Sequence, residues 1–174
     1  MTTPEPRQQF EQLLQAHRGI VHKVAGCYSR TPADRADVVQ EICLQLWRAF
    51  PRYDRQRKFS TWMYRVALNV AISHARRTYW SDPGRLEPLN EIHLETPGAD
   101  DTDREQLDQL EMMYGFIAEL EPLNRALILL YLDDHSYTEM ADILGISESN
   151  VATKISRIKS TLRDRMTLGA TTGV

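Results

Sequence analysis

The sequence predicts an all-α protein made of two small helical units, residues 1–80 and 105–174, joined by an acidic linker over 81–104. Three observations predict it. Apolar residues recur at intervals of three and four in both halves, which is the period of an amphipathic helix. No segment alternates strictly over the length of a strand between hairpin turn signals. Pro83, Gly84, Pro88, Pro97 and Gly98 gather among acids between Ser81 and Asp103, which is linker composition. With 174 residues and 42% hydrophobic content, the chain can bury one modest core or two small ones and lies outside the disordered range.

The first unit reads as a helical hairpin or bundle from about Arg7 to Tyr79. Its helix from Asp34 to Phe50 places Val38 or Val39, Ile42, Leu46 and Phe50 on an inner face. Asp37, Gln40, Glu41, Leu44, Gln45 and Arg48 then share the outer face. Acids around one exposed leucine suit a protein partner that offers a basic helix or coiled coil, and a plain solvated face fits the spacing equally well. A loop of cations and aromatics follows, Arg52-Tyr53-Asp54-Arg55-Gln56-Arg57-Lys58-Phe59. In the helix from Ser60 to Tyr79, Met63, Val66, Ala67 and Val70 face a core, while Trp62, Arg65, Asn69, Ser73, Arg76 and Arg77 line the other side. Cations interleaved with aromatics are what a single nucleic-acid strand requires: the phosphates are neutralised and an unstacked base meets a ring, at roughly 1–3 kcal/mol per stacked base. A base drawn from a duplex also needs a pocket to offset its unstacking. Core packing accounts for Phe59 and Trp62 just as well.

The second unit opens near Thr102-Asp-Arg-Glu105, a capping-box pattern. A second such pattern, Ser136-Tyr-Thr-Glu139, starts a short helix that Gly145 ends, and Ser147 caps a further helix running to about Met166. Two helices joined by a few residues containing glycine form a helix-turn-helix. Val151, Ile155, Ile158 and Leu162 make the buried stripe of the second helix. Ser149, Ala152, Thr153, Ser156 and Arg157 face out, with Lys154 and Lys159 on the flanks. Such a face suits the major groove, hydroxyls meeting bases or phosphates and cations meeting phosphates, and a plain amphipathic helix with a solvated outer side is the alternative. The tail from Thr167 to Val174 is small and polar and is expected to fray.

The overall charge of −3 hides a strong asymmetry. Arg18 to Trp80 holds 12 Lys or Arg against 4 Asp or Glu, a net of +8. Ser81 to Glu121 holds 2 against 12, a net of −10, and Ser136 to Met166 holds 5 against 4, a net of +1. A basic first unit suits an anion-binding surface, and a solvated charged face fits the count equally well. A net of +1 is weak for a lone DNA-binding module, so the helix-turn-helix needs help from elsewhere. Cys27 and Cys43 lack metal or redox spacing and read as inert buried thiols. No signal peptide and no run of eighteen apolar residues appears, so the expected compartment is the cytoplasm, with no membrane insertion. There is no phosphate-binding glycine loop or nucleophile motif. His17, His22, His74, His93 and His135 include no pair at i,i+4 around a glutamate. The sequence therefore predicts no enzyme, no metal site and no cofactor.

Together these segments resemble the extracytoplasmic-function sigma factors, and the resemblance covers most of the chain. Asp34-Arg-Ala-Asp37-Val-Val-Gln40-Glu41-Ile-Cys-Leu44-Gln-Leu46-Trp47-Arg48 is similar to region 2.2 of that family, which grips the clamp helices of the RNA polymerase β′ subunit. The resemblance makes Asp37, Gln40, Glu41, Leu44 and Arg48 candidate polymerase contacts. Phe59-Ser-Thr61-Trp62-Met-Tyr64-Arg65-Val-Ala67-Leu-Asn69-Val-Ala71, ending in Arg76-Arg77, is similar to regions 2.3 and 2.4, which open the promoter and hold the non-template strand of the minus-ten element. That implies Lys58, Phe59, Thr61, Trp62, Arg65, Asn69, Ser73, Arg76 and Arg77 as its DNA contacts. Ser136-Tyr137-Thr-Glu139-Met-Ala141-Asp-Ile143-Leu144-Gly145-Ile146-Ser147 and the next helix resemble region 4, the reader of the minus-thirty-five element. Its contacts would be Ser149, Ala152, Thr153, Lys154, Ser156, Arg157 and Lys159. The two units then correspond to a region 2 bundle and a region 4 helix-turn-helix. The resemblance implies that the acidic linker threads the RNA exit path, standing in for nucleic acid until nascent RNA displaces it, and a flexible acidic spacer is the alternative reading of the same composition.

The resemblance further implies core polymerase, through its β′ clamp helices and β flap, and promoter DNA as partners. With no fused sensor segment in the sequence, control is expected from outside, from an anti-sigma factor covering the polymerase-binding faces, with phosphorylation or expression level as the alternatives. Ala152 and Ser156 stand where relatives often carry basic or bulky residues, Ser73 where aspartate is frequent and Ala36 where glutamate is frequent. The rival reading is a free-standing helix-turn-helix regulator that binds duplex DNA as a dimer. It accounts for the second unit and leaves both polar faces of the first without a use. Stoichiometry separates the two, because a sigma factor is expected to be a monomer when free and to bind core polymerase one to one.

Overall fold

A computed structural model describes residues 5–80, 112–113 and 115–171. The linker at 81–104 and the Thr102–Glu105 capping pattern lie outside the described residues. The chain divides into two compact units, residues 1–86 and 87–174, and no strand occurs among the described residues. Nor is any described helix long and apolar enough to cross a membrane.

The first unit is a four-helix cluster: α1 (Pro6–Ala16), α2 (Arg18–Tyr28), α3 (Pro32–Ala49) and α4 (Phe59–Ala75). Proline at the first position starts both α1 and α3, where its missing N–H costs nothing. His17 closes α1 by donating its backbone N–H to the carbonyls of Leu13 and Leu14, each at 3.2 Å, and α2 restarts at once. Ser29 ends α2, its hydroxyl donating to the Ala25 carbonyl at 2.6 Å. Thr31 then caps α3: the Asp34 N–H donates to the Thr31 hydroxyl at 3.1 Å, and the Asp34 carboxylate accepts from the Arg30 N–H at 3.1 Å.

Helices α2, α3 and α4 pack on one another. Val21, Val24 and Tyr28 of α2, Val38, Ile42 and Leu46 of α3, and Met63, Leu68 and Ile72 of α4 fill the core. Val38, rather than Val39, is the inward valine of α3. Helix α4 departs from expectation. Because α2 and α3 both cover it, its buried arc takes in Tyr64, Leu68, Ala71 and Ile72 as well as Met63 and Ala67. Val66 and Val70, read from spacing as core residues, lie at the edge of that arc and are only half-buried. Cys27 and Cys43 are likewise half-buried rather than enclosed, and burial raises the Cys43 thiol above its ordinary pKa.

In the second unit residues 115–119 are helical and precede α5 (Pro122–Leu132), α6 (Tyr137–Leu144) and α7 (Glu148–Thr171). The buried Arg125 guanidinium donates to the carbonyls of Ala118 at 2.6 Å and Leu120 at 3.0 Å, tying the preceding segment to α5. Helices α5 and α6 both pack on α7 through Leu127, Leu130, Met140, Ile143, Val151 and Ile155. Helix α7 does not end near Met166 but runs on to Thr171. Arg165 pairs with Glu119 and lies 5.2 Å over the Phe116 ring, and the Met112 side chain sits against Gly169. The segment before α5 thus supports a stretch that composition alone marks as a frayed tail.

Candidate nucleic-acid interface

The loop before α4 is held by its own side chains. Asp54 accepts from the Gln56 N–H at 3.0 Å, the Arg57 N–H donates to the Asp54 carbonyl at 3.0 Å, and the Tyr53 hydroxyl donates to the Arg57 carbonyl at 2.5 Å. Arg55 reaches back to the Gln9 side chain of α1 at 2.7 Å. These bonds present Arg52, Arg55, Arg57 and Lys58, all exposed, on a fixed turn. Burial, reinforced by Asp54 and partly countered by Arg55, raises the Tyr53 phenol above its ordinary pKa, so the hydroxyl keeps its proton and its bond.

Behind the loop the aromatics form a nest. Trp62 lies 4.9 Å from Tyr53 and 5.3 Å from Phe59 between ring centroids, and Phe50 lies 5.1 Å from Phe10. Phe59 is buried and belongs to the core, whereas Trp62 and Thr61 remain half-buried at the surface. Core packing thus accounts for Phe59, while Trp62 packs on Tyr53 and Phe59 and keeps part of its surface open. From Trp62 onward Arg65, Asn69, Ser73 and Arg76 stand exposed along one face of α4. The helix then widens into a π-helical turn over Arg76–Trp80, which carries the exposed pair Arg76 and Arg77. A phosphate backbone along this face would meet cations at both ends and polar side chains between them.

On α3, Asp37, Gln40, Leu44 and Arg48 are exposed, and Glu41 and Gln45 are half-buried beside them, with the Gln45 amide donating to Glu41 at 2.8 Å. Trp47 was not singled out by spacing. It is 43% exposed next to Leu44 at 41%, and its ring packs 5.2 Å from Phe10 of α1. Its position three residues after Leu44 was visible in the sequence, but the rigid backing from α1 was not. The acidic face therefore centres on two apolar residues, a composition suited to a protein partner.

In the second unit the turn forms as the sequence requires. Ser136 and Glu139 make the reciprocal capping box, Gly145 takes φ 68°, and the Asn150 N–H donates to the Ser147 hydroxyl at 3.1 Å. Ser149, Thr153, Ser156 and Arg157 are exposed on α7, and Ala152 and Lys154 are half-buried. The hydroxyls are partly engaged: Ser149 pairs with Ser147 at 3.2 Å, and Thr153 donates to the Ser149 carbonyl at 2.9 Å. Lys159 lies apart from that face, 4.1 Å over the Tyr131 ring of α5, and hydrogen bonding to Tyr131 raises its pKa. Leu162, expected in the buried stripe, is half-buried because the stripe is covered by α5 and α6 only through Ile158.

Comparison with known proteins adds an independent line. The family described as Sigma-70 region 2 matches residues 13–81, and that described as Sigma-70, region 4 matches residues 110–162. The chain is 31% identical over 158 residues to the ECF RNA polymerase sigma-E factor of Escherichia coli strain K12, covering 83% of this chain and 81% of that one. It is 25% identical over 157 residues to the ECF RNA polymerase sigma factor SigM of Mycobacterium tuberculosis strain Erdman, covering 90% of this chain and 76% of the other. Among solved structures, the sigma factor RpoE in complex with the anti-sigma factor NepR from Bartonella quintana gives a TM-score of 0.72 at 20% identity, covering 92% of this chain and 98% of that chain. CnrH in complex with the cytosolic domain of CnrY gives 0.65 at 22% identity, covering 93% and 90%. At these identities the structural likeness speaks to the fold.

Proposed function

This chain belongs to the extracytoplasmic-function sigma factors of the sigma-70 family and is an alternative sigma factor that directs transcription initiation, and from that premise we propose how its surfaces divide the work. The outer face of α3, with Asp37, Gln40, Glu41, Leu44 and Arg48, grips the β′ clamp helices of core polymerase. Lys58, Thr61, Trp62, Arg65, Asn69, Ser73, Arg76 and Arg77 hold the minus-ten element, with Phe59 supporting them from the core. Ser149, Ala152, Thr153, Lys154, Ser156 and Arg157 read the minus-thirty-five element, and Lys159 reaches phosphate only by leaving Tyr131. The second unit also meets the β flap, and the acidic segment at 81–104 occupies the RNA exit path as a mimic of nucleic acid. The bond-forming chemistry belongs to the polymerase, and no catalytic step is assigned to this chain.

The observation that carries the minus-ten assignment is the row Arg65, Asn69, Ser73 and Arg76, exposed on one face of α4 beside the half-buried Trp62. The solved relative bound to NepR supports an anti-sigma factor as the regulator; that this chain is a monomer when free and acts in the cytoplasm belongs to the same proposal. The test is reconstitution with core polymerase lacking sigma. Asp37→Ala with Leu44→Ala is expected to weaken holoenzyme assembly at least tenfold. Arg65→Ala with Asn69→Ala is expected to spare assembly and abolish promoter opening. Equal loss of assembly in both pairs would refute this division of surfaces.

A further inference from the structure

Helices α3 and α4 pack on each other, and the side chains they bury are apolar: Val38, Ile42 and Leu46 on α3, Met63, Ala67 and Leu68 on α4. Hydrophobic contact has no direction, so by itself it does not fix the register of one helix on the other. A hydrogen bond does. Asp34 Oδ1 lies 2.7 Å from His74 Nε2, the two side chains being 15% and 22% exposed. Asp34 is held on two further sides, its N–H donating to the Thr31 hydroxyl and its Oδ2 accepting from the Arg30 N–H. It stands in the first turn of α3, where the helix dipole favours a negative charge. The carboxylate only accepts hydrogen bonds, so the imidazole form it holds carries a proton on Nε2.

Two residues beyond His74 the helix changes its winding. The Arg76 N–H reaches both the Ile72 and the Ser73 carbonyls, and the π-helical turn over Arg76–Trp80 begins there. A change of winding re-aims the side chains that follow it. Arg76 and Arg77, both exposed, are therefore directed by that turn as well as by the α-helical row that precedes them.

We propose that His74 is a positioning residue for promoter opening: bonded to Asp34, it fixes the start of the π-helical turn against α3, and so sets where Arg76 and Arg77 meet the phosphates of the melted strand. The inference rests on the minus-ten reading of α4. Charge-assisted bonds to phosphate are short and directional, so a small displacement of the two guanidinium groups weakens them. Asp37, on the polymerase-gripping face, follows Asp34 by three residues on the same helix. One rigid element thus registers the two arginines to the polymerase.

The test uses holoenzyme assembled from the full chain, at a temperature well below the unfolding of each variant. Both core affinity and affinity for a minus-ten non-template oligonucleotide are measured. His74→Ala is expected to leave core affinity unchanged and to weaken oligonucleotide binding about tenfold, the low end of what one charge-assisted contact contributes. His74→Gln, whose amide nitrogen can take the place of Nε2, is expected to bind within about twofold of the unaltered chain. In a chain already carrying Arg76→Ala and Arg77→Ala, adding His74→Ala is expected to cost nothing further, because the groups it positions are gone. A tie that serves stability alone would leave oligonucleotide binding unchanged in His74→Ala, and that result overturns the proposal. So do equal losses in the alanine and glutamine variants, a further loss of about tenfold in the doubly substituted chain, or a fall in core affinity with His74→Ala. If removing the two arginines alone leaves oligonucleotide binding unchanged, the minus-ten reading of those residues falls, and this inference with it.

Discussion

At Asp134 the backbone takes a φ of 59°, the one positive value at a non-glycine position among the described residues. It closes α5: the Asp134 N–H donates to the Tyr131 carbonyl at 3.1 Å and the His135 N–H to the Leu130 carbonyl at 3.1 Å, the two bonds of a Schellman cap. Glycine would adopt this conformation without a Cβ penalty, so Asp134→Gly is expected to stabilise the second unit by up to about 1 kcal/mol, read as a higher urea midpoint at constant slope. The same geometry at Gly145 was legible in the sequence because glycine follows a helical pattern and precedes a capping serine. At Asp134 nothing in Leu132-Asp-Asp-His135 marks which residue turns left-handed, since aspartate serves caps, turns and surfaces alike. Lys159 was illegible for a related reason. Its place on the flank of α7 follows from spacing, but its engagement with Tyr131 depends on how α5 crosses that helix.

The elements are tied at their ends by groups that sequence reading treats separately. The Asp34 carboxylate completes the cap of α3 with the Arg30 N–H, and its other oxygen lies 2.7 Å from His74 Nε2 near the end of α4. One side chain thus fixes where α3 begins and where the polar face of α4 ends, shortly before Arg76 and Arg77. His74→Ala is expected to cost about 1 kcal/mol in urea unfolding, the scale of a partly buried hydrogen bond. Thr31→Ala should cost a similar amount through the lost cap. Because both act on Asp34, their combined loss should differ from the sum, and strict additivity would argue against a shared anchor. Helix α3 was read closely from its pattern, Val38, Ile42 and Leu46 inward and Asp37, Gln40 and Leu44 outward, because one face packs and the other does not. Helix α4 was read on its polar side and, on its apolar side, at Met63 and Ala67 alone. Covered by two helices, it buries an arc wider than a three-and-four stripe, which moved Val66 and Val70 out of the core and brought Leu68 and Ile72 in.

For the whole molecule, each unit has its own set of buried side chains: Val24, Ile42, Leu46 and Met63 in the first, Leu127, Leu130, Met140 and Ile155 in the second. Residues 1–86 and 87–174 produced separately are therefore expected to fold, each unfolding cooperatively, with urea slopes that sum to that of the full chain. A fragment lacking a cooperative transition would show that its core needs the other unit. The sequence by itself determined the helical class, the Ser136–Glu139 capping box, the glycine turn between α6 and α7 and the polar row on α4. All of these depend on local backbone chemistry and a period that survives any packing. Only the tertiary structure decided which aromatics are core, where α7 ends, where Lys159 rests and that Asp34 meets His74. Those outcomes depend on which neighbour covers each side chain, and helical spacing gives the direction of a residue without saying what stands opposite it.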